Sequence, residues 1–243
     1  MILLSVAVHF KIYPLVLFPL LLFKHGRKLI LPTLIVNLVF LFCLGPKIAW
    51  AFVQSVTSGG LGAGIGNYWA SAGNHAAYSF AIGVDKTSVD FLTANFFLVW
   101  GIAMVVPLLL WGISTVALLL KKYSAINGVM LFMVSIPLMS LLPTVSIDYK
   151  LVIICIPICL LLFLVIKQFL QKFSWFDLAQ MPLLFAALLM INRSYAFIGP
   201  ERAFICNKYI WILLLELLMM INIIREVGRP SKTADAKNPD AIK

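Results

Sequence analysis

Charged side chains are scarce in this sequence. They make up 12% of the 243 residues, whereas hydrophobic side chains make up 63%, and the mean hydropathy is +1.04. Soluble domains contain roughly 45–50% apolar residues, so a chain this poor in charge is not an ordinary soluble domain. The composition therefore predicts an integral membrane protein.

Acidic residues are fewer than basic ones. Nine aspartates and glutamates stand against 19 lysines and arginines, which gives a formal net charge of +10. In a soluble chain this excess would suggest a nucleic-acid partner, but membrane proteins collect lysine and arginine in their cytoplasmic loops. We therefore interpret the charge as a sign of topology, and we expect the lipid bilayer, not nucleic acid, as a partner.

Several chemical signatures are missing. The glycine-rich run 58–66 lacks the Gly-Lys-Ser/Thr ending of a phosphate-binding loop, and the chain has neither a nucleophile elbow nor a dinucleotide fingerprint. No spacing of His, Cys and Asp resembles a metal site, so we expect no metal and no bound cofactor. Cys155 and Cys159 lie in an apolar run, where thiols behave as small hydrophobes, and only a disulfide between Cys43 and Cys206 stays open.

Long apolar stretches are what the chain has instead. A membrane span needs about 20 mostly apolar residues, or somewhat fewer. The sequence predicts an all-α fold, a polytopic membrane helix bundle within residues 1–224, followed by a disordered cytoplasmic tail at 225–243. The seven predicted transmembrane spans are 5–23, 29–44, 93–120, 125–142, 151–166, 181–191 and 209–224.

Lysines and arginines sort to one side when these spans alternate. Twelve of the 19 fall on the side that holds 24–28, 121–122, 167–172 and the tail, and seven fall on the other side. Because the richer side faces the cytoplasm, we predict an N-terminus outside and a C-terminus in the cytoplasm. The predicted outward segments are a long loop at 45–92, a short turn at 143–150 and a loop at 192–208.

Lys11 and Glu216 are ionisable residues inside predicted spans. A charge at the centre of a span costs roughly 2.5–3.5 kcal/mol on insertion scales, so each needs a partner or a function. Counted from the inner surface, the two differ in depth by about one helical turn, which is within reach of a lysine side chain. Two interpretations stay open: the residues form an ion pair, or Lys11 holds a lipid phosphate near the outer surface.

Polar and ionisable side chains gather on the outward segments. A carboxylate beside a lysine at a membrane surface is commonly an interfacial anchor. Several separate segments that present such groups to one surface also suit a substrate that is both charged and polyhydroxylated. The residues are Asn74, His75, Asp148, Tyr149, Lys150, Arg193, Glu201 and Arg202.

Three motifs occur in order along residues 5–166. The first is Lys11-Ile12-Tyr13-Pro14, followed by an apolar run and the basic cluster at 24–28. The second is Asn74-His75-Ala76-Ala77, and the third is Pro143-x-x-Ser146-x-Asp148-Tyr149-Lys150. The ordered set resembles family 87 of the glycosyltransferases, polyprenyl-phosphate-sugar-dependent enzymes of the C-type superfamily typified by bacterial mannosyltransferases. The chain departs from that family at Ala76, where the family has a serine.

This resemblance implies an enzyme of the outer face of a bacterial cell membrane. It would transfer a sugar, such as mannose, from a polyprenyl-phosphate donor to a glycan or glycolipid acceptor. The resemblance implies a phosphate-side role for Lys11, Lys150 and Arg202. It implies sugar- or acceptor-side roles for Asn74, His75, Asp148 and Tyr149, and it also places Tyr13 among the substrate-binding residues.

The general base of such enzymes is an aspartate in the first outward loop, which makes the acceptor oxygen a better nucleophile. No residue of this sequence matches that aspartate, so no catalytic residue is assigned. We expect a missing N-terminal half or a companion chain to supply it, and we expect the isolated chain to be inactive.

Two other functions stay open. A carrier or flippase-like transporter would bind a lipid-linked glycan without making bonds, and a membrane scaffold would use its loops only as anchors. A transporter favours polar groups near mid-membrane and inverted repeats. In this sequence the ionisable residues gather at one predicted surface, and we find no repeat, so the sequence favours the enzyme.

Overall fold

The computed structural model describes residues 2–5, 13–43, 45–57, 96–121, 124–142, 152–192 and 208–228. All regular structure within these ranges is helical, as the sequence predicts. Short 3-10 turns at Tyr13–Leu17, Arg27–Leu29 and Val152–Ile154 lead into three of the helices. The α-helices are α1 (Phe18–His25), α2 (Ile30–Phe42), α3 (Pro46–Thr57), α4 (Phe96–Leu119), α5 (Ala125–Leu141), α6 (Cys155–Gln171), α7 (Trp175–Asn192) and α8 (Lys208–Gly228).

Two helix ends differ from the predicted spans. The sequence predicts a partly polar stretch at 167–180 before a short span. In the structure most of this stretch is helical, because α6 continues to Gln171 and α7 begins at Trp175. At the other end of the chain, α8 continues to Gly228, into the predicted tail. Hydropathy locates only the apolar part of a helix. Backbone hydrogen bonds do not require apolar side chains, so a helix can continue into polar sequence. Residues 229–243 lie outside the described part of the chain.

Helix α8 lies at the centre of the bundle and packs against α4, α5 and α7. Its buried positions recur every three or four residues, which places them on one face of the helix. Tyr209, Ile212, Glu216, Met219 and Ile223 occupy that face, and each is at most 4% exposed. This face joins buried side chains of the neighbouring helices in one hydrophobic core.

The direction of α8 fixes the direction of two neighbours. Tyr209, near the start of α8, donates its hydroxyl hydrogen to the carbonyl oxygen of Ala103, near the start of α4, so these helices run parallel. Arg225, near the end of α8, pairs with Asp177 near the start of α7, so α7 runs antiparallel to α8. We call the two ends of the bundle the Tyr209 end and the Arg225 end.

Short connections fix the remaining directions. Only five residues, 120–124, separate α4 from α5, and only Phe173 and Ser174 reach from Lys172 at the end of α6 to α7. Each pair therefore forms an antiparallel helical hairpin. The ends of α5 and α7 and the starts of α4, α6 and α8 consequently all lie at the Tyr209 end.

The outer surface of the bundle is apolar. Two helical stretches, Gly101–Leu119 and Val152–Gln171, are long and apolar enough to cross a membrane. Only 33% and 28% of the residues in their most apolar 18-residue segments are buried in the bundle. Soluble monomers rarely expose contiguous apolar patches of this kind, because water opposes them. The exposed side chains follow helical spacing along α4, as Ile102, Val105, Leu109, Ile113 and Val116.

Helices α2 and α3 lie at the edge of this bundle. No residue of α2 is buried, and α2 packs mainly against α3 and the turn before it. Gly45 joins the two helices with a φ of +95°, a conformation that side chains with a Cβ rarely adopt. Gly45 thus permits an abrupt change of direction between α2 and α3.

Candidate functional site

Most residues that the sequence selects for substrate binding lie outside the described part of the chain. Tyr13 begins the first 3-10 turn, and its side chain also lies outside that part. Both interpretations of Lys11, the ion pair with Glu216 and the contact with a lipid phosphate, therefore stay open. The other selected residues outside the described ranges are Lys11, Asn74, His75, Asp148, Tyr149, Lys150 and Arg202.

The fold nevertheless specifies where the chain segments with these residues join the bundle. Segment 143–151 connects the end of α5 to the turn before α6, and segment 193–207 connects α7 to α8. Segment 58–95 runs up to the start of α4. The helix ends at which these three segments join α4 to α8 all lie at the Tyr209 end. The three segments contain six of the selected residues, which are all of them except Lys11 and Tyr13.

Lys208 is a cation at the Tyr209 end that the sequence analysis missed. It is the first residue of α8 and is fully buried, with 0% of its surface exposed. Burial of an ammonium group is costly unless partners compensate it, and Lys208 is not without a partner in the fold. The signal in the sequence is a lysine directly before a long apolar run. The sequence places this lysine at the end of the predicted loop 192–208.

Tyr209 follows Lys208 and joins α8 to α4. Its hydroxyl donates a hydrogen bond to the carbonyl oxygen of Ala103. Pro107 lies four residues after Ala103 in α4 and has no backbone N–H, so the helix itself cannot supply a donor to that carbonyl. The tyrosine hydroxyl therefore replaces the backbone hydrogen bond that the proline removes.

A ladder of polar side chains joins α7 to α8 at the Arg225 end. The Arg225 Nη1 atom lies 2.5 Å from Asp177 Oδ1, and the Nη2 atom lies 3.4 Å from Oδ2. One turn further into the bundle, Asn222 Nδ2 donates to Gln180 Oε1 at 2.6 Å. Gln180 Nε2 also donates to Asp177 Oδ1 at 3.4 Å, so the two rungs are connected.

This polar ladder compensates an otherwise buried charge. The Asp177 side chain is 2% exposed and that of Arg225 is 32% exposed. The guanidinium of Arg225 also lies 4.9 Å from the ring centre of Phe176, in cation–π geometry. The ladder is not among the features predicted from the sequence. Its signal in the sequence is a pair of polar residues three positions apart on each helix, Asp177 with Gln180 and Asn222 with Arg225.

Glu216 is fully buried halfway along α8. It lies eight residues after Lys208 and nine before Arg225, or about 12 Å and about 14 Å along the helix axis. Neither carboxyl oxygen has a hydrogen-bond partner among the described residues. Such a group is unusual in a protein core, since buried polar atoms are generally hydrogen-bonded.

A partly open groove lies beside the polar ladder, between α5, α6 and α8. Its cavity volume is about 20 Å³, and three methionines, Met130, Met133 and Met219, contribute to its walls together with Leu161. Flexible methionine side chains fill irregular gaps and adapt to different apolar neighbours.

Metal and thiol chemistry have no site in the described residues. No group of three His, Cys, Asp or Glu side chains in this part of the chain is arranged to hold a metal ion. Cys43 is a free thiol, and Cys206, its partner in the disulfide that the sequence leaves open, lies outside the described residues. The Cys43 Sγ atom lies 3.0 Å from the carbonyl oxygen of Phe40.

Comparisons of this chain with family models, with curated proteins and with solved structures give no match. We therefore infer its function from its own residues.

Proposed function

We propose that the chain is a multi-pass protein of a bacterial cell membrane with seven spans, an outward N-terminus and a cytoplasmic C-terminus. Its apolar outer surface supports this arrangement, because lipid is the solvent that stabilises such a surface. In this orientation the Tyr209 end faces outward and the Arg225 end faces the cytoplasm. The excess of lysine and arginine near the Arg225 end supports that choice.

Cys43 provides the test of orientation, because it is an exposed free thiol at the end of α2. In a variant whose other three cysteines are serine, we expect a membrane-impermeant maleimide to label Cys43 from outside intact cells. A matched variant keeps none of the native cysteines and carries Lys121→Cys, in the connection between α4 and α5. It is expected to react only after the membrane is opened. The reverse pattern would invert the topology.

At the outward end, we propose that the chain takes part in sugar transfer from a polyprenyl phosphate to a glycan or glycolipid. The observation that carries this proposal is the convergence of helix ends at the Tyr209 end, with the buried cation Lys208 among them. The segments with Asn74, Asp148 and Arg202 join the bundle at this same end. A lipid-linked donor would present its phosphate at that depth of the bilayer.

The proposed chemistry is a single displacement at the anomeric carbon. The acceptor oxygen forms a bond to that carbon, the bond from carbon to the phosphate oxygen breaks, and a base takes the hydroxyl proton. Polyprenyl phosphate leaves with the bonding electrons, and nearby cations stabilise its charge. We propose phosphate-facing roles for Lys11, Lys150 and Arg202 and, for Lys208, the role of a buried positive charge at the same end of the bundle. We assign the base to no residue of this chain.

Lys208→Met tests this role, because methionine preserves much of the length and apolar volume but removes the charge. In membranes that transfer sugar from a radiolabelled polyprenyl-phosphate donor, we expect a loss of transfer of roughly tenfold or more, since charge stabilisation at the leaving group is a large catalytic effect. The matched control is Lys167→Met, which replaces an exposed lysine near the Arg225 end. This control is expected to leave transfer unchanged. Equal rates in both variants would remove Lys208 from the site.

A second function is favoured by one observation. Glu216 is buried at mid-depth without a hydrogen-bond partner among the described residues, and transporters place ionisable groups at that depth. If purified protein moved a lipid-linked sugar across vesicles but transferred none to an acceptor, the transporter would replace the enzyme. In that case Glu216→Gln should abolish movement, whereas Lys208→Met should not.

A further inference from the structure

Pro107 divides helix α4 into two halves, and each half makes a side-chain hydrogen bond to a different neighbouring helix. The first half, 96–106, is joined to α8 through the hydrogen bond from Tyr209 to Ala103. The second half, 108–119, is joined to α5 through Trp111, whose indole Nε1 donates to Ser135 Oγ at 3.0 Å. The two side-chain hydrogen bonds therefore lie on opposite sides of the proline.

A proline inside a helix weakens it at a defined place. The ring removes the hydrogen bond to the carbonyl four residues earlier and crowds that carbonyl, which bends the helix there. In a bilayer the freed carbonyl must find another donor, because lipid supplies none. In this structure the donor is a single side chain from another helix, Tyr209 of α8.

We propose that Pro107 is a hinge in α4 and that the Tyr209 hydroxyl is the latch that holds the first half of α4 against α8. When the hydrogen bond opens, the first half of α4 moves away from α8, and the second half stays bound to α5 through Trp111. The moving half belongs to the Tyr209 end, where segments 58–95 and 193–207 join the bundle. The hinge therefore controls the shape of that end.

The surroundings support a break at this position and not elsewhere in α4. Pro107 and Ala103 are both buried, so water cannot replace the tyrosine as donor. Nothing comparable to the proline break occurs among residues 108–119 of the same helix.

Tyr209→Phe removes the latch and keeps the ring. We expect spin labels at the exposed positions 98 and 217, one on the first half of α4 and one on α8, to show a single narrow distance in the unsubstituted bundle. In Tyr209→Phe we expect a second, longer distance to appear. Labels at 116 and 224, on the second half of α4 and on α8, should keep their distance. The measurement is pulsed dipolar spectroscopy on purified protein whose native cysteines are replaced.

The rescue variant is Pro107→Ala in the Tyr209→Phe background. Alanine restores the backbone N–H that can bond to the Ala103 carbonyl, so the narrow distance between 98 and 217 should return. A tyrosine that merely stabilises the whole bundle would broaden both label pairs and would gain nothing from Pro107→Ala. An unchanged distance between 98 and 217 in Tyr209→Phe would equally overturn the proposal. Because no sugar donor is needed, the result is independent of the proposed transfer reaction.

Discussion

Replacing Glu216 with leucine is expected to stabilise the isolated protein. Both carboxyl oxygens of Glu216 are buried, and neither has a hydrogen-bond partner among the described residues. A buried polar group without a hydrogen-bond partner costs about 1–3 kcal/mol, and an apolar side chain of similar volume removes this cost. We therefore expect a higher apparent midpoint of thermal unfolding for Glu216→Leu in detergent, measured by the loss of helical circular dichroism.

The sign of this change also tests whether Lys11 and Glu216 form an ion pair, which is one of the two interpretations that the sequence leaves open. If the two residues are paired, Glu216→Leu leaves the lysine without a counterion, and the unfolding midpoint falls. The double variant with Lys11→Met would then recover the loss. Without the pair, Lys11→Met has no rescuing effect on Glu216→Leu. Leu215→Met, a change at the neighbouring buried position, is the control for the effect of altering the core itself.

Removing the guanidinium of Arg225 is expected to destabilise the bundle strongly. The carboxylate of Asp177 is 2% exposed, and Arg225→Met leaves it with the long hydrogen bond from Gln180 as its one side-chain contact among the described residues. Breaking a buried ion pair from one side costs about 3–5 kcal/mol, and partial exposure of the arginine places the expectation near the lower limit, at about 3 kcal/mol. The measurement is the free energy of unfolding in mixed micelles.

The opposite substitution is expected to cost less. Asp177→Asn leaves Arg225 without its carboxylate, but the arginine is about one-third exposed and can turn toward water. We expect a loss of about 1 kcal/mol, typical of a partly exposed pair. In the double variant Asp177→Asn with Arg225→Met, the unpaired buried charge is gone, and most of the larger loss should be recovered. Equal costs for the two single variants would contradict this asymmetry.

The positions of the helices could be predicted from the sequence because they depend on local composition. Each of α4, α5 and α8 lies where the sequence predicts an apolar span. The extra length of α6 to Gln171 could not be predicted from hydropathy, because a helix continues where backbone hydrogen bonds form, whether or not the side chains are apolar. The seven-span topology and its orientation stay predictions, which the labelling of Cys43 addresses.

Contacts within the polar ladder could not be predicted, because they join residues far apart in the sequence. Asp177 and Arg225 are separated by 48 residues, and Gln180 and Asn222 by 42. The sequence shows that each helix has a polar pair on one face, but not which faces meet. The carbonyl freed by Pro107 could be identified from the spacing alone, whereas its donor, Tyr209, could not.

The substrate-binding residues selected from the sequence belong to segments between helices, and their roles stay predictions. The helix ends to which these segments connect could be placed, because short connections and a few side-chain pairs fix the directions of α4 to α8. The interior position of Lys208 could not be predicted, because burial of a side chain depends on how the helices pack. A lysine before an apolar run is usually a solvated anchor, and only the packing of α8 identifies it as an interior cation.

The central position of α8 has a consequence for biosynthesis. Ribosomes make the chain from its amino end, so α4, α5 and α7 leave the ribosome before the helix against which all three pack. Until α8 arrives, the carbonyl of Ala103 and the carboxylate of Asp177 lack the partners seen in the mature protein. On the proposed seven-span topology, nascent chains that stop before residue 208 should therefore be recognised by membrane quality-control proteases, even though six of the seven proposed spans precede that point.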